Sequence, residues 1–237
     1  MNKLGVHALV WEAGWSRDEC ARAIARTAET GFDFIEVPAL DPASIDPEFT
    51  RRELERHGLG ITFSLGLDAQ TDISSGDAAL AARGKAKLED VLRVARDCGA
   101  THVCGVLYSA FQKNAVPTSR AGVAMSADIL GQVADTAAQC GITLGLEVVN
   151  RYESNVLNTA SQGVELCRRI GRPNVKVHLD TYHMNIEESD VMSAIRDTGD
   201  HLGYFHLGDS HRGYLGSGNV DFTAVFRALV FSGYTGP

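Results

Sequence analysis

Residues 175–185 have the sequence VKVHLDTYHMN, and this stretch decides the fold. Val175, Val177 and Leu179 alternate with polar residues, and the run ends in Asp180. The alternation predicts a β-strand with one apolar and one polar face. A parallel strand covered by helices on both faces is instead apolar throughout. The stretch therefore predicts a sheet with helices on one face and a polar interior on the other.

Short strand-like runs recur along the chain and alternate with segments of helical periodicity. Strands are predicted at 4–10, 32–37, 60–67, 101–108, 142–149, 175–180 and 203–208. Helices are predicted at 16–30, 47–57, 77–98, 118–140, 159–170, 187–198 and 221–231. Regular alternation predicts parallel strands joined by right-handed crossovers, in a doubly wound sheet or a barrel. We favour the α/β barrel, because the fifth and seventh strands also have one polar face and because no phosphate-binding glycine motif follows the first strand.

Length and composition exclude several classes of protein. A chain of 237 residues suits one α/β barrel, which commonly needs ~250 residues, so a single domain over 1–237 is predicted. The formal charge of -8 and the absence of a Lys or Arg run argue against nucleic acid binding. Five cysteines without CxxC spacing predict reduced thiols. With neither a signal-peptide pattern nor a membrane-length apolar run, we expect a cytoplasmic protein that does not bind membranes.

Ionisable residues stand near the ends of several predicted strands. Glu36, Glu147, Asp180 and His206 lie near the ends of the second, fifth, sixth and seventh strands. Barrel active sites lie at the carboxyl ends of the strands, so these side chains should converge. Each alone is explained as a polar strand end satisfied by loop amides. Together, Glu147, Asp180 and His206 favour a site for a divalent cation such as manganese, cobalt or magnesium, with zinc less favoured without thiolates.

Other polar residues on the strands have more than one explanation. His7 and Glu36 are predicted near the mouth of the barrel, where they either line a substrate pocket or, for Glu36, only orient neighbours. His178 is predicted to lie deeper, as a hydrogen-bonded core residue. His102 and Cys104 have apolar neighbours in the fourth strand, which favours core packing.

Three longer motifs resemble a known family. They are GLEVVNRYESN at 145–155, HLDTYHMNIEE at 178–188 and FHLGDSHRGYLGSGNVDF at 205–222. They resemble the ketose 3-epimerases, the D-tagatose, D-psicose and L-ribulose 3-epimerase group of the xylose-isomerase-like barrels. The resemblance runs along the whole chain, and the third motif is the most specific. It implies an eight-stranded TIM-type barrel.

The resemblance implies a role for each matching residue. Glu147 would be both a metal ligand and a catalytic acid/base, and Asp180 and His206 would be further ligands. Manganese is the most expected metal. The residues implied to contact substrate are Glu153, His183 and Arg212, with Trp15 as an aromatic wall, and position in the barrel adds His7.

The implied reaction is epimerisation of a free ketose at carbon 3. A base removes a proton next to the carbonyl, and the negative charge of the resulting enediolate must be stabilised. Alternatives within the superfamily are an aldose–ketose isomerase, a hydroxypyruvate isomerase and an inosose dehydratase. A catalytically impaired sugar-binding fragment is the non-enzyme alternative. A homodimer or homotetramer is expected from the resemblance alone.

The chain departs from the family at its last residues. The family takes its second base and fourth ligand from a glutamate on the eighth strand, whereas this sequence stops at SGYTGP, residues 232–237. The eighth βα unit is therefore expected to be missing, and the second base to lie beyond Pro237. We expect a C-terminally truncated barrel with weakened metal binding and turnover, because one acid/base group is worth ~10²–10⁴ in rate.

Overall fold

The computed structural model describes residues 2–237 and contains a seven-stranded parallel sheet. The strand order follows the sequence, β1-β2-β3-β4-β5-β6-β7, and each strand pairs with the next. The strands are β1 Gly5–His7, β2 Phe34–Pro38, β3 Gly60–Leu67, β4 His102–Ala110, β5 Thr143–Glu147, β6 Val175–Asp180 and β7 Leu202–His206. The alternation of strands and helices is therefore confirmed, including its parallel sense.

Helices connect the strands, and most of them begin at a side-chain cap. They are α1 Arg17–Glu29, α2 Pro47–His57, α3 Ala78–Cys98, α4 Arg120–Gln139, α5 Ala160–Ile170, α6 Thr181–Glu187, α7 Val191–Thr198 and α8 Phe222–Phe231. Ser16 and Thr159 each form a capping box with the residue three positions later, which satisfies free N–H groups of the first turn. Gly58 and Gly99 end α2 and α3 in the left-handed conformation that favours glycine.

Two segments differ from the sequence prediction. β1 ends at His7 and is followed by a 3-10 turn at Ala8–Val10, so the strand predicted at 4–10 is too long. The helix predicted at 187–198 begins later, as α7 at Val191 behind its cap Asp190, and a short helix that was not predicted, α6, precedes it. The short helix α6 begins directly after β6, because Asp180 ends the strand and its carboxylate accepts from the Tyr182 N–H.

The sheet is curled, and polar side chains cross its interior. The Tyr204 hydroxyl on β7 donates to Glu36 Oε2 on β2 at 2.6 Å and lies 2.8 Å from Thr62 Oγ1 on β3. Strands at opposite ends of the order can touch in this way only if the sheet curves on itself. The large apolar core packs between the sheet and the helices, whereas Phe34, Cys104 and Tyr204 form a separate cluster inside the curve. The predicted polar interior is confirmed.

The edge of β7 is bordered by the last residues of the chain. The Phe205 N–H donates to the Pro237 carbonyl at 3.2 Å, and the Asn2 side-chain amide donates to the carbonyls of Tyr234 and Gly236. The seven paired strands are those of an α/β TIM-type barrel without an eighth paired strand in residues 2–237. None of the helices in this range is long and apolar enough to cross a membrane.

Candidate metal centre

Four ionisable side chains occupy the last positions of their strands. His7 ends β1, Glu147 ends β5, Asp180 ends β6 and His206 ends β7. Pairing brings the last three together, since Glu147 is in register with His178 and Asp180 with His206. Carboxylate and imidazole groups therefore meet at the carboxyl edge of the sheet, where the sequence predicted them.

The two carboxylate oxygens of Asp180 have different neighbours. Its Oδ1 accepts from the Tyr182 N–H at 2.7 Å and so caps α6. Its Oδ2 lies 3.8 Å from Nδ1 of His206, too far for a hydrogen bond. Two ligand atoms of one small divalent cation would lie no more than about 4.2 Å apart, since each bond is about 2.1 Å. The separation of 3.8 Å between Asp180 and His206 is within this limit, so both residues could hold the same ion.

Glu147 is the common member of two groups of possible ligands. Glu147, Asp180 and His183 place one ligand atom each within 4.8 Å of one another, and Glu147, His178 and His206 do the same. Asp180 and His206 fall in different groups but approach each other at 3.8 Å. The residue types, oxygen and nitrogen donors without sulfur, suit a divalent cation.

His183 is held in one orientation by the loop after β5. Its Nδ1 accepts from the backbone N–H of Asn150 at 3.1 Å and lies 2.9 Å from the Asn150 side-chain amide. The proton is therefore on Nε2, which lies 3.6 Å from Glu147 Oε1 and 3.7 Å from Glu153 Oε2. His183 is almost fully buried, so it presents a single N–H donor between these two carboxylates.

Arg212 lies on the loop after β7 and approaches Glu153. Its guanidinium lies over the Tyr182 ring, 4.1 Å from the centroid, and its Nη2 is 3.4 Å from Glu153 Oε1. Its backbone is left-handed, with φ of 56°. The buried Asp209 side chain accepts from the N–H groups of Ser210, Gly216 and Gly218, which folds this loop back on itself.

Glu36 and Trp15 are buried, whereas the His7 side chain is partly exposed. His7 Nδ1 accepts from the Leu9 N–H, and its Nε2 lies 3.4 Å from Ser64 Oγ and 3.7 Å from Glu36 Oε1. Glu36 is buried and accepts from His206 Nε2 at 2.8 Å. Trp15 is 8% exposed, packs in the main core and donates its indole N–H to Thr50.

The pKa of Glu147 is raised, whereas the pKa of Asp180 is lowered. Burial raises the pKa of Glu147 to about 8, and the negative charge of Asp180 opposes ionisation further. Burial would also raise the pKa of Asp180, but the His206 imidazole and the Tyr182 N–H hold it below its usual value. For His206, burial is outweighed by Glu36, Asp180 and Glu147, which raise its pKa well above the usual value.

Three supporting residues were not identified in the sequence. Asn150 orients His183, Tyr182 lies beneath Arg212, and the Tyr108 hydroxyl donates to the Glu147 carbonyl at 2.8 Å. His178 is fully buried as predicted, but neither of its ring nitrogens has a hydrogen-bond partner within residues 2–237, so the predicted hydrogen bond is absent. Instead its ring packs edge-on against His206, with centroids 4.2 Å apart.

A curled parallel sheet with carboxylates and imidazoles at its carboxyl edge defines an α/β barrel with a candidate cation site. The model of the xylose isomerase-like TIM barrel family matches residues 24–237, so the chain belongs to this family.

Within the family, the chain belongs to the group of ketose 3-epimerases. It is 48% identical to a ketose 3-epimerase of Arthrobacter globiformis, over 99% of this chain and 81% of the relative. It is 36% identical to a D-psicose 3-epimerase of Agrobacterium fabrum, over 99% of this chain and 82% of the relative. The fold is also similar to the crystal structure of D-allulose 3-epimerase from Methylomonas sp. in complex with D-allulose. The TM-score is 0.98 and the sequence identity 45%, over 100% of this chain and 82% of that one.

Proposed function

We propose that this protein is an isomerase that epimerises free ketoses at carbon 3 with the help of a divalent cation. The observation that carries this proposal is the convergence of Glu147, Asp180 and His206 at the carboxyl ends of three adjacent strands. The relatives support it, because their names specify ketose 3-epimerases and one structure contains D-allulose. We assign Glu147, Asp180 and His206 as the ligands.

Glu147 is our candidate for the acid/base on one face of the sugar. Removal of the proton at carbon 3 needs a base whose pKa is near the working pH, and burial raises the pKa of Glu147 to about 8. The Tyr108 hydroxyl fixes the backbone at Glu147, so the carboxylate is held at the strand end. A bound cation would stabilise the negative charge that develops on the sugar oxygens.

Substrate contacts are proposed for the residues around Glu147. The Nε2–H of His183 and the Arg212 guanidinium are donors that face the site, and both lie beside Glu153. Donors in these positions would hold hydroxyl or carbonyl oxygens of a ketose near the proton that is removed. His7 and Trp15 are proposed to line the pocket nearer β1 and α1.

The remaining assignments follow from the family. We propose manganese as the preferred ion, with cobalt and magnesium as alternatives, because carboxylate-rich sites without thiolates suit these metals. We also propose a cytoplasmic homodimer or homotetramer that acts on free ketoses.

The test is exchange of the carbon 3 proton with solvent. The protein is incubated with manganese in deuterated water with D-allulose, D-fructose, D-tagatose or L-ribulose, and the products are followed by NMR. We expect deuterium at carbon 3 together with the epimeric ketose. Product analysis separates the related reactions, since an aldose product or loss of water would reveal a different isomerase or a dehydratase. No deuterium in any of the four sugars would contradict the proposal.

A further inference from the structure

Glu36 lies in the middle of β2 and is buried at 3% exposure. Its Oε2 accepts two hydrogen bonds, from the Tyr204 hydroxyl at 2.6 Å and from His206 Nε2 at 2.8 Å. Its Oε1 is buried without a hydrogen-bond partner in residues 2–237, and His7 Nε2 is 3.7 Å away. A carboxylate in such a place costs free energy, which an apolar residue of similar size would avoid. Packing alone therefore does not explain Glu36.

In the neutral imidazole that binds a cation, the hydrogen bond to Glu36 decides which nitrogen of His206 is free. A carboxylate only accepts, so the proton that it receives is on Nε2. Nδ1 is then the nitrogen on the other side of the ring, which faces Asp180 Oδ2 at 3.8 Å. The edge-on contact with His178 restricts rotation of the same ring. Histidine ligands in metal sites commonly have this arrangement, in which a carboxylate binds the second ring nitrogen.

We propose that Glu36 is a positioning residue that holds His206 with Nδ1 directed at the cation site. Glu36 would not contact the cation itself. It acts through His206, by fixing the tautomer and the plane of the ring. This inference rests on the proposed function, since it concerns the site formed by Glu147, Asp180 and His206.

A structural role is the competing explanation, because Glu36 also ties β2 to β7 through Tyr204. Tyr204→Phe is the matched control. It removes the hydroxyl that donates to Glu36 but leaves the Glu36 carboxylate and the bond from His206 in place. If Glu36 only ties strands together, Tyr204→Phe and Glu36→Gln should have similar effects on every measurement.

The experiment is a manganese titration of the full chain, with unbound Mn²⁺ measured by its EPR signal. Wild type, Glu36→Gln, Glu36→Asp and Tyr204→Phe are compared, and the melting temperature of each is measured in chelator. We expect Glu36→Gln to raise the Kd for Mn²⁺ about 10- to 100-fold, as other changes to groups behind a metal ligand do. Tyr204→Phe should leave the Kd within about threefold of wild type, while it lowers the melting temperature.

Each outcome decides the question. If wild type binds no Mn²⁺, the proposed cation site fails and this inference fails with it. If wild type binds Mn²⁺ and Glu36→Gln binds it equally well, only the positioning role is overturned. Should Glu36→Gln fail to fold, Glu36→Asp replaces it, because it keeps the charge but withdraws the carboxylate from His206. Equal Kd values for Glu36→Asp and Tyr204→Phe would then overturn the inference.

Discussion

Replacing Glu147 with Gln should make the metal-free protein more stable and the enzyme much slower. The Glu147 side chain is 16% exposed, and the protonated nitrogen of His183, Nε2, is 3.6 Å from its Oε1, beyond hydrogen-bond distance. Burial raises its pKa from 4.5 to about 8, so the folded protein holds the proton more tightly than the unfolded chain does. Stability must therefore fall as pH rises from 4.5 towards 8.

The size of the effect follows from that pKa. At pH 7 the carboxyl group is ionised in the unfolded chain but mostly protonated in the folded protein. Because pH 7 lies about 2.5 pH units above the unfolded pKa of 4.5, folding loses about 3 kcal/mol of stability at this residue. Gln has the same shape without the charge and avoids this cost. For a chain of this length, 1 kcal/mol shifts the melting temperature by about 2–4 °C, so Glu147→Gln should raise it by roughly 6–12 °C in chelator at pH 7.

The measurement is thermal unfolding of both proteins in chelator between pH 5 and pH 8. The difference should be small at pH 5 and grow with pH, while Glu55→Gln, an exposed surface control, changes little. Turnover should fall about 10²- to 10⁴-fold, which is about 3–5 kcal/mol in the barrier. A Glu147→Gln protein that melts at or below the wild-type temperature at pH 7 would refute the claim that burial destabilises this carboxylate.

Further predictions concern the loops and the cation. Tyr182→Leu removes the ring beneath the Arg212 guanidinium, which contributes ~0.5–1 kcal/mol of cation–π interaction. The KM should therefore rise about two- to fivefold with little change in kcat. An unchanged KM in steady-state assays would argue against a substrate role for Arg212. Asp209→Asn weakens the three backbone hydrogen bonds that fold the loop, so amide exchange at residues 210–219 should quicken while exchange in β4 does not. Manganese at 100 times its Kd should stabilise the protein by about 2.7 kcal/mol, seen as a melting temperature higher by roughly 5–10 °C that chelator reverses.

The sequence predicted the strand ends better than the contacts between them. Glu147, Asp180 and His206 could be found because parallel strands bring their carboxyl ends to one edge, and the alternation at 175–180 gives the face. A sequence pattern cannot predict which side chains meet across the interior, as Glu36 and His206 do, because that depends on the curvature of the whole sheet.

The short helix α6 shows a second limit. A helix of seven residues is too short for apolar periodicity to stand out, and its cap, Asp180, was already assigned to the site. Asn150 was missed for a related reason, since an Asn after a strand is typical of any turn. Its contact with His183 becomes visible only when the loop after β5 lies against α6.

The bond between Glu36 and His206 joins residues 170 positions apart in the chain. Loop closure over such a distance is entropically costly and comes late in folding, after nearer strands have paired. During synthesis on the ribosome, β2 emerges before β7. The Glu36 carboxylate is therefore solvated until His206 has been made and β7 has paired. The cation site is therefore expected to form late in folding, and a chain in which β7 has not yet been synthesised should bind manganese only weakly.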